Sequence, residues 1–274
     1  MNKYTEVSLP RRSPLAERLY ELRQRIEAAC ARASRPASSV TLVAVTKNAA
    51  PEQVREIIQL GVGDLGESRV HVLTQRAAQV REFFQRQQSR GEDLPLPQRL
   101  RLHLIGHLQR NKVKAVLPAV DLIHSVDSLR LAEELDEQAA KLGRKVPILM
   151  QINASEEPTK FGVAVGAAIH LAEQIDSMPN LQLIGLMTMA PLTDNPDVPR
   201  RVFARTREIF EEMRWHKIGG AALRHLSMGM SNDFEAAILE GATMIRVGSF
   251  LFGGPLGPQP DDEEPDPQAR LRGN

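Results

Sequence analysis

Along this 274-residue chain, eight apolar runs of strand length alternate with amphipathic stretches of helical length, and no other feature constrains the fold as tightly. The runs are 41–47 (TLVAVTK), 64–68 (DLGES), 101–107 (RLHLIGH), 122–127 (LIHSVD), 146–153 (VPILMQIN), 181–190 (LQLIGLMTMA), 225–231 (HLSMGMS) and 244–249 (MIRVGS). Helical periodicity is read over 14–33, before the first run, and over 51–60, 128–142, 165–177, 199–215 and 232–240. Repeated βα units predict an α/β fold with a parallel sheet. Eight of them favour a closed TIM-type (β/α)8 barrel over an open doubly wound sheet, which usually has fewer strands.

Punctuation supports several boundaries. Pro51 suits a first helical turn, where its missing N–H has no partner, and Gly61 suits the left-handed residue that ends that helix. Ser128 can cap the helix after the fourth run, and Gly143 can close it. Residues 88–98 (QSRGEDLPLPQ) read as a surface loop. Residues 1–13 read as a flexible N-terminus, 14–254 as the barrel, and 255–274, too polar and proline-rich to bury a core, as a disordered tail.

A composition of 42% hydrophobic and 25% charged residues fits one globular domain of barrel size. Net charge is +1 with Lys and Arg dispersed, so neither nucleic acid nor an anionic membrane is expected as a partner. The lone Cys30 can form no internal disulfide, which points to a reducing cytoplasm. No segment approaches the roughly 18 uninterrupted apolar residues of a membrane span, and the N-terminus lacks the apolar core of a signal peptide.

In a barrel of this class the chemistry gathers where the βα loops converge, at the C-terminal ends of the strands. Lys47 ends the first strand. A lysine desolvated there becomes an amine nucleophile able to condense with an aldehyde, and a structural ion pair is the alternative. After the seventh and eighth strands, Met230-Ser231 and Gly248-Ser249 fall where barrels often bind phosphate. Ser231 is placed both to cap the helix beginning near 232 and to donate to a phosphate, with a purely structural cap and turn as the alternative. Strand alternation turns Arg246 away from Ile245 and Val247, and a cation there needs a carboxylate, a phosphate or a ring nitrogen.

Glu67 and Ser68 can bond a ligand or cap the next helix, and Lys160 reads as a loop cation. His103, His107 and His124 match no metal spacing and read as lining or core residues, so no metal is expected.

Taken in order from Val40 to Gly253, the segments VAVTK, GDLGE, HLIGHLQRNK, IHSVDS, QINASEEPTKFG, LIGLMTM, LSMGMSNDFEAAI and MIRVGSFLFG closely resemble the pyridoxal phosphate homeostasis proteins, the YggS/PROSC family. The resemblance implies the fold-type III, alanine-racemase-like barrel, with pyridoxal 5'-phosphate held as a Schiff base on Lys47. It further implies Arg246 against the pyridine nitrogen and a phosphate cup of Ser231, Gly248, Ser249 and the Met230 backbone, with Ser68 beside the cofactor; His103, read from its strand-end position, is counted with the cofactor-binding residues. Ser68 stands where members of the family often carry asparagine, a shorter hydroxyl in place of an amide.

An arginine that stays protonated disfavours a protonated pyridine, and with it carbanion chemistry. Alanine racemase uses a tyrosine base and a second domain. The two tyrosines here, Tyr4 and Tyr20, precede the barrel, and no second domain is read. The expectation is therefore a non-catalytic, monomeric carrier or buffer of pyridoxal phosphate, with dependent apoenzymes or a regulatory protein as further partners. A racemase and a Schiff-base phosphosugar enzyme are the rivals.

Overall fold

The computed structural model describes residues 13–90, 96–157 and 160–253. Its strands are β1 (Thr41–Val45), β2 (Asp64–Glu67), β3 (Arg101–Leu104), β4 (Leu122–Val126), β5 (Val146–Asn153), β6 (Val163–Ala164), β7 (Leu181–Met187), β8 (His225–Ser227) and β9 (Met244–Val247). Parallel pairings run β1-β2-β3-β4-β5-β7-β8-β9 and return to β1, closing an eight-stranded barrel as the alternation predicts. β6 is a two-residue addition to β5 outside this ring, absent from the sequence reading. The seventh and eighth barrel strands are therefore β8 and β9.

Around the barrel lie α1 (Pro14–Arg32), α2 (Pro51–Gln59), α3 (Val70–Arg90), α4 (Val113–Val116), α5 (Leu129–Lys141), α6 (Ala168–Asp176), α7 (Asp197–Trp215), α8 (Phe234–Leu239) and α9 (Ser249–Phe252). Pro51 opens α2 and Gly61 follows it at φ 88°. Ser128 caps α5 by accepting from Leu131 N, and Gly143 follows at φ 60°. None of these helices is long and apolar enough to cross a membrane.

Several expected boundaries need correction. Most strands are shorter than their apolar runs, because the residues after Val45 and Ser227 leave the ladder to build turns. The expected loop at 88–98 begins inside α3, and 91–95 lie outside the described residues. Helix α8 starts at Phe234, with Asp233 as its N-cap, so Ser231 does not cap it. Of the N-terminal segment read as flexible, Ser13 is ordered and caps α1 by accepting from Ala16 N at 3.1 Å. Residues 1–12 and the tail 255–274 lie outside the described residues.

Strand alternation divides the apolar residues into two cores. Ala44, Leu65, Leu104, Ile123, Ile148, Leu226 and Ile245 face the helices and join Ile57, Leu131 and Phe203 in the large outer cluster. Full burial of such a side chain contributes about 1.5–3 kcal/mol. Val43, Leu122, Leu149, Ile184, Met187 and Met244 form a separate, smaller cluster inside the ring. The rest of the interior is polar: His103, His124, Gln151, Ser227 and Arg246 are all buried, and a buried polar group needs a hydrogen-bond partner.

Candidate functional site

Lys47 lies two residues beyond the end of β1, half-buried, and continues the strand parity of Val43 in the inner cluster. Its turn is clamped from α3 and the residue preceding it. Arg76 donates from Nη1 to Thr46 O at 2.6 Å and from Nη2 to Ala49 O at 3.2 Å, while Arg69 Nη2 donates to Lys47 O at 3.3 Å. Glu67, buried at the end of β2, pairs with Arg76 at 3.3 Å and accepts from Thr46 Oγ1 and Ser68 N. Burial pushes the Glu67 carboxyl up, against the opposing pull of Arg76. Glu67 therefore braces the lysine turn and does not cap a helix.

Beyond β8 and β9 the two expected loops meet. Ser231 Oγ and Ser249 Oγ lie 2.9 Å apart, and Ser231 Oγ also accepts from Phe250 N at 3.4 Å. The Ser231 hydroxyl thus ties the β8 loop to the β9 loop. At Gly248 the backbone runs close to β1: an added Cβ would stand 3.0 Å from Val45 O and 3.1 Å from Val45 Cβ. Met230 is exposed, and its N–H donates to Asp233 Oδ1 at 2.6 Å. Gly229, unassigned in the sequence reading, sits at φ 93°, with space for a Cβ blocked by Ala237 Cβ at 2.6 Å; its carbonyl accepts from Arg246 N.

Arg246 is buried in the interior, its parity opposite to Ile245 and Val247 as alternation requires. Among the described residues its hydrogen-bond partners are a hydroxyl and a backbone carbonyl. Nη1 donates to Ser227 Oγ at 2.7 Å and Nη2 to Thr188 O at 2.9 Å. Burial pulls its pKa down to about 10, with Asp233 working the other way. From Ser227 the hydrogen bonds continue inward: to His124 Nδ1 at 2.9 Å, from His124 Nε2 to His103 Nδ1 at 2.9 Å, and from His103 Nε2 to Asp64 Oδ1 at 2.9 Å.

The fold brings Lys47, Ser68, Met230, Ser231, Gly248 and Ser249 to the residues just past the C-terminal ends of β1, β2, β8 and β9, with Arg246 inside the ring next to them. His103 stands apart. It is fully buried, and both of its ring nitrogens are taken by protein groups, one of them on the first residue of β2. His107 stacks on Phe161 with ring centroids 3.9 Å apart and lies 3.4 Å from Asp127 Oδ2 without hydrogen-bond geometry. Lys160 lies 3.7 Å from Glu157, the loop cation expected.

The sequence reading missed Arg76, Arg69, Ser227, Thr188, Asp233 and Asp64. An arginine on an amphipathic helix carries no local mark that separates it from a solvated one, and Asp64 opens a strand like many acids. Gly229 did carry a signal, since it sits at a strand-to-loop turn.

Residues 18–255 match the alanine racemase N-terminal domain family. A protein from Aquifex aeolicus named "Pyridoxal phosphate homeostasis protein" is 39% identical over 237 residues, which is 86% of this chain and 96% of that protein. The chain belongs to the pyridoxal phosphate homeostasis protein family. The Escherichia coli K12 relative bearing the same name is 32% identical over 244 residues, 87% of this chain and 96% of that one. Among solved structures of this family, PipY of Synechococcus elongatus, with PLP bound, superposes with a TM-score of 0.68 at 35% identity, over 87% of this chain and all of PipY. Alanine racemase of Clostridium difficile, at 15% identity and a TM-score of 0.62, shares the barrel fold; the match spans 91% of this chain and 59% of that enzyme.

Proposed function

We propose that this chain binds pyridoxal 5'-phosphate at the C-terminal mouth of the barrel and buffers or delivers it, with Lys47 as the anchor. The observation that carries the reading is Arg246. It is a buried cation whose described partners take two of its five N–H donors, and no carboxylate pairs with it among the described residues. A buried charge left so needs an acceptor, and a pyridine nitrogen is one.

The remaining groups fit the same ligand. The cofactor supplies an aldehyde that condenses reversibly with an amine. Lys47 offers that amine from a turn held by Arg69, Arg76 and Glu67. Ser231 and Ser249 present two hydroxyls side by side for a phosphate, Met230 lies in the same loop as Ser231, and Gly248 keeps the β9 backbone against β1. Ser68 flanks the Lys47 turn, and His103 acts at a distance through the interior hydrogen bonds. The PLP-bound PipY relative supports the assignment.

A carrier role is the better reading than turnover. Arg246 donates and stays charged, so it holds the ring nitrogen unprotonated. Tyr20, the described tyrosine, is half-exposed on α1, bonded to Gln24. The same reading has the chain acting as a monomer in the cytoplasm and handing its cargo to apoenzymes; the buried, unpaired thiol of Cys30 suits a reducing compartment.

The purified protein should take up pyridoxal phosphate with a visible absorbance band, and hydride reduction should fix the added mass on Lys47. Lys47→Ala should lose both. No band in the wild type, or steady racemisation of an L-amino acid that disappears in Lys47→Ala, overturns the carrier reading.

A further inference from the structure

Five interior residues from five strands form one continuous chain of hydrogen bonds: Asp64 (β2), His103 (β3), His124 (β4), Ser227 (β8) and Arg246 (β9). Its ends determine its direction. An arginine has donors only, and an ionised carboxylate has acceptors only. Burial alone would raise the Asp64 carboxyl, but the hydrogen bond from His103 and the adjacent Arg101 guanidinium outweigh it and hold it below its ordinary value, so it is ionised at neutral pH.

With neutral histidines, a single placement of the protons gives every link one hydrogen. Arg246 donates to Ser227 Oγ, Ser227 donates to His124 Nδ1, His124 Nε2–H donates to His103 Nδ1, and His103 Nε2–H donates to Asp64. Neutrality is what the interior enforces on His124. Burial, then the fields of His103, Arg246 and His225, push its pKa well below the usual value.

The outer end of the chain reaches solvent at the opposite face of the barrel. Asp64 lines a surface cleft with Arg23, Glu27, Thr41, Gly61 and Gly63, and Arg101 Nε lies 2.6 Å from its Oδ1 without hydrogen-bond geometry. His225, beside Arg224, lies within the same field. The carboxylate, whose nearest cation is Arg101, is thus joined to the buried arginine through a line of hydrogen bonds, each of which polarises the next, while the carboxylate whose field acts on Arg246 is Asp233.

We infer that Asp64, His103, His124 and Ser227 are positioning residues that orient the Arg246 guanidinium and tie its donor strength, at the cofactor mouth, to a carboxylate on the barrel floor. The inference rests on the cofactor reading above, yet it can be tested without cofactor. In the unliganded full-length protein at pH 7, 15N NMR of the histidine rings should show His103 and His124 neutral, each protonated on Nε2. A charged ring, or an Nδ1–H tautomer at either position, overturns the relay whether or not the protein takes up pyridoxal phosphate.

Asp64→Asn keeps an acceptor for His103 and removes the charge. It should move the Arg246 side-chain resonances across the barrel and weaken pyridoxal phosphate binding about tenfold, the equivalent of one pKa unit. Ser227→Ala cuts the chain at its middle with a minimal change of volume, and it decides the matter if Asp64→Asn does not fold. Unchanged Arg246 resonances and unchanged affinity in a folded variant overturn the positioning role. Absence of binding in the wild type, with both tautomers as stated, overturns the cofactor reading alone.

Discussion

Arg76, on α3, donates to the carbonyl of Thr46 at 2.6 Å, one residue before Lys47, and the same guanidinium bonds Ala49 O and pairs with the buried Glu67. A helix outside the barrel therefore holds the turn that carries the anchoring lysine. Arg76→Ala leaves two carbonyls and a buried carboxylate without their cation and should cost about 2–4 kcal/mol. Denaturant unfolding measures it. A loss under about 0.5 kcal/mol, the range of an ordinary surface substitution, would show that the turn holds itself.

Gly229→Ala should destabilise the protein by about 3 kcal/mol, because it combines a positive-φ penalty with overpacking. The new methyl would meet Ala237 Cβ at 2.6 Å and the Phe234 backbone at 2.9 Å. The strain falls at the start of the loop that carries Met230 and Ser231, so cofactor uptake should drop with stability. A variant as stable as the wild type would contradict the geometry.

The pair of hydroxyls at Ser231 and Ser249 should matter to the phosphate alone. Ser231→Ala or Ser249→Ala should weaken pyridoxal phosphate about tenfold, in line with one lost charge-assisted hydrogen bond, and leave unphosphorylated pyridoxal unaffected. Parallel titrations with the two ligands separate the outcomes. Equal losses for both would place the phosphate elsewhere.

Stability should fall as the pH drops from about 6.5 toward 4. His225, depressed to about 4 chiefly by burial and by Arg224, takes its proton in the unfolded chain before it does in the folded one, and His124 acts in the same sense. Over that window the unfolded state binds more protons, so acid favours it. Glu67 and Asp233, whose carboxyls burial raises, act in the opposite sense. Thermal unfolding of His225→Gln should show a shallower decline with acid than the wild type, and an identical pH profile would remove His225 from the account.

Much of this was legible in the residues. Strand alternation turned Arg246 away from Ile245 and Val247, and it lies buried in the barrel interior. The Ser231 cap failed for a local reason: Met230-Ser231-Asn232-Asp233 contains several residues able to start a helix, and Asp233 is the one placed at the N-cap. His103 read as a lining residue because its strand-end position resembled the others, while its ring turns into the barrel toward Asp64 and His124.

The sequence alone determined the eight βα units and the residues that fall at the strand ends, because apolar periodicity, proline, glycine and capping residues act over a few neighbouring positions. Only the tertiary structure decided which polar residues meet. The partners from Asp64 to Arg246 come from five strands far apart in the chain, and a hydrogen bond near 2.9 Å depends on strand register and ring closure, neither of which is written in any local pattern.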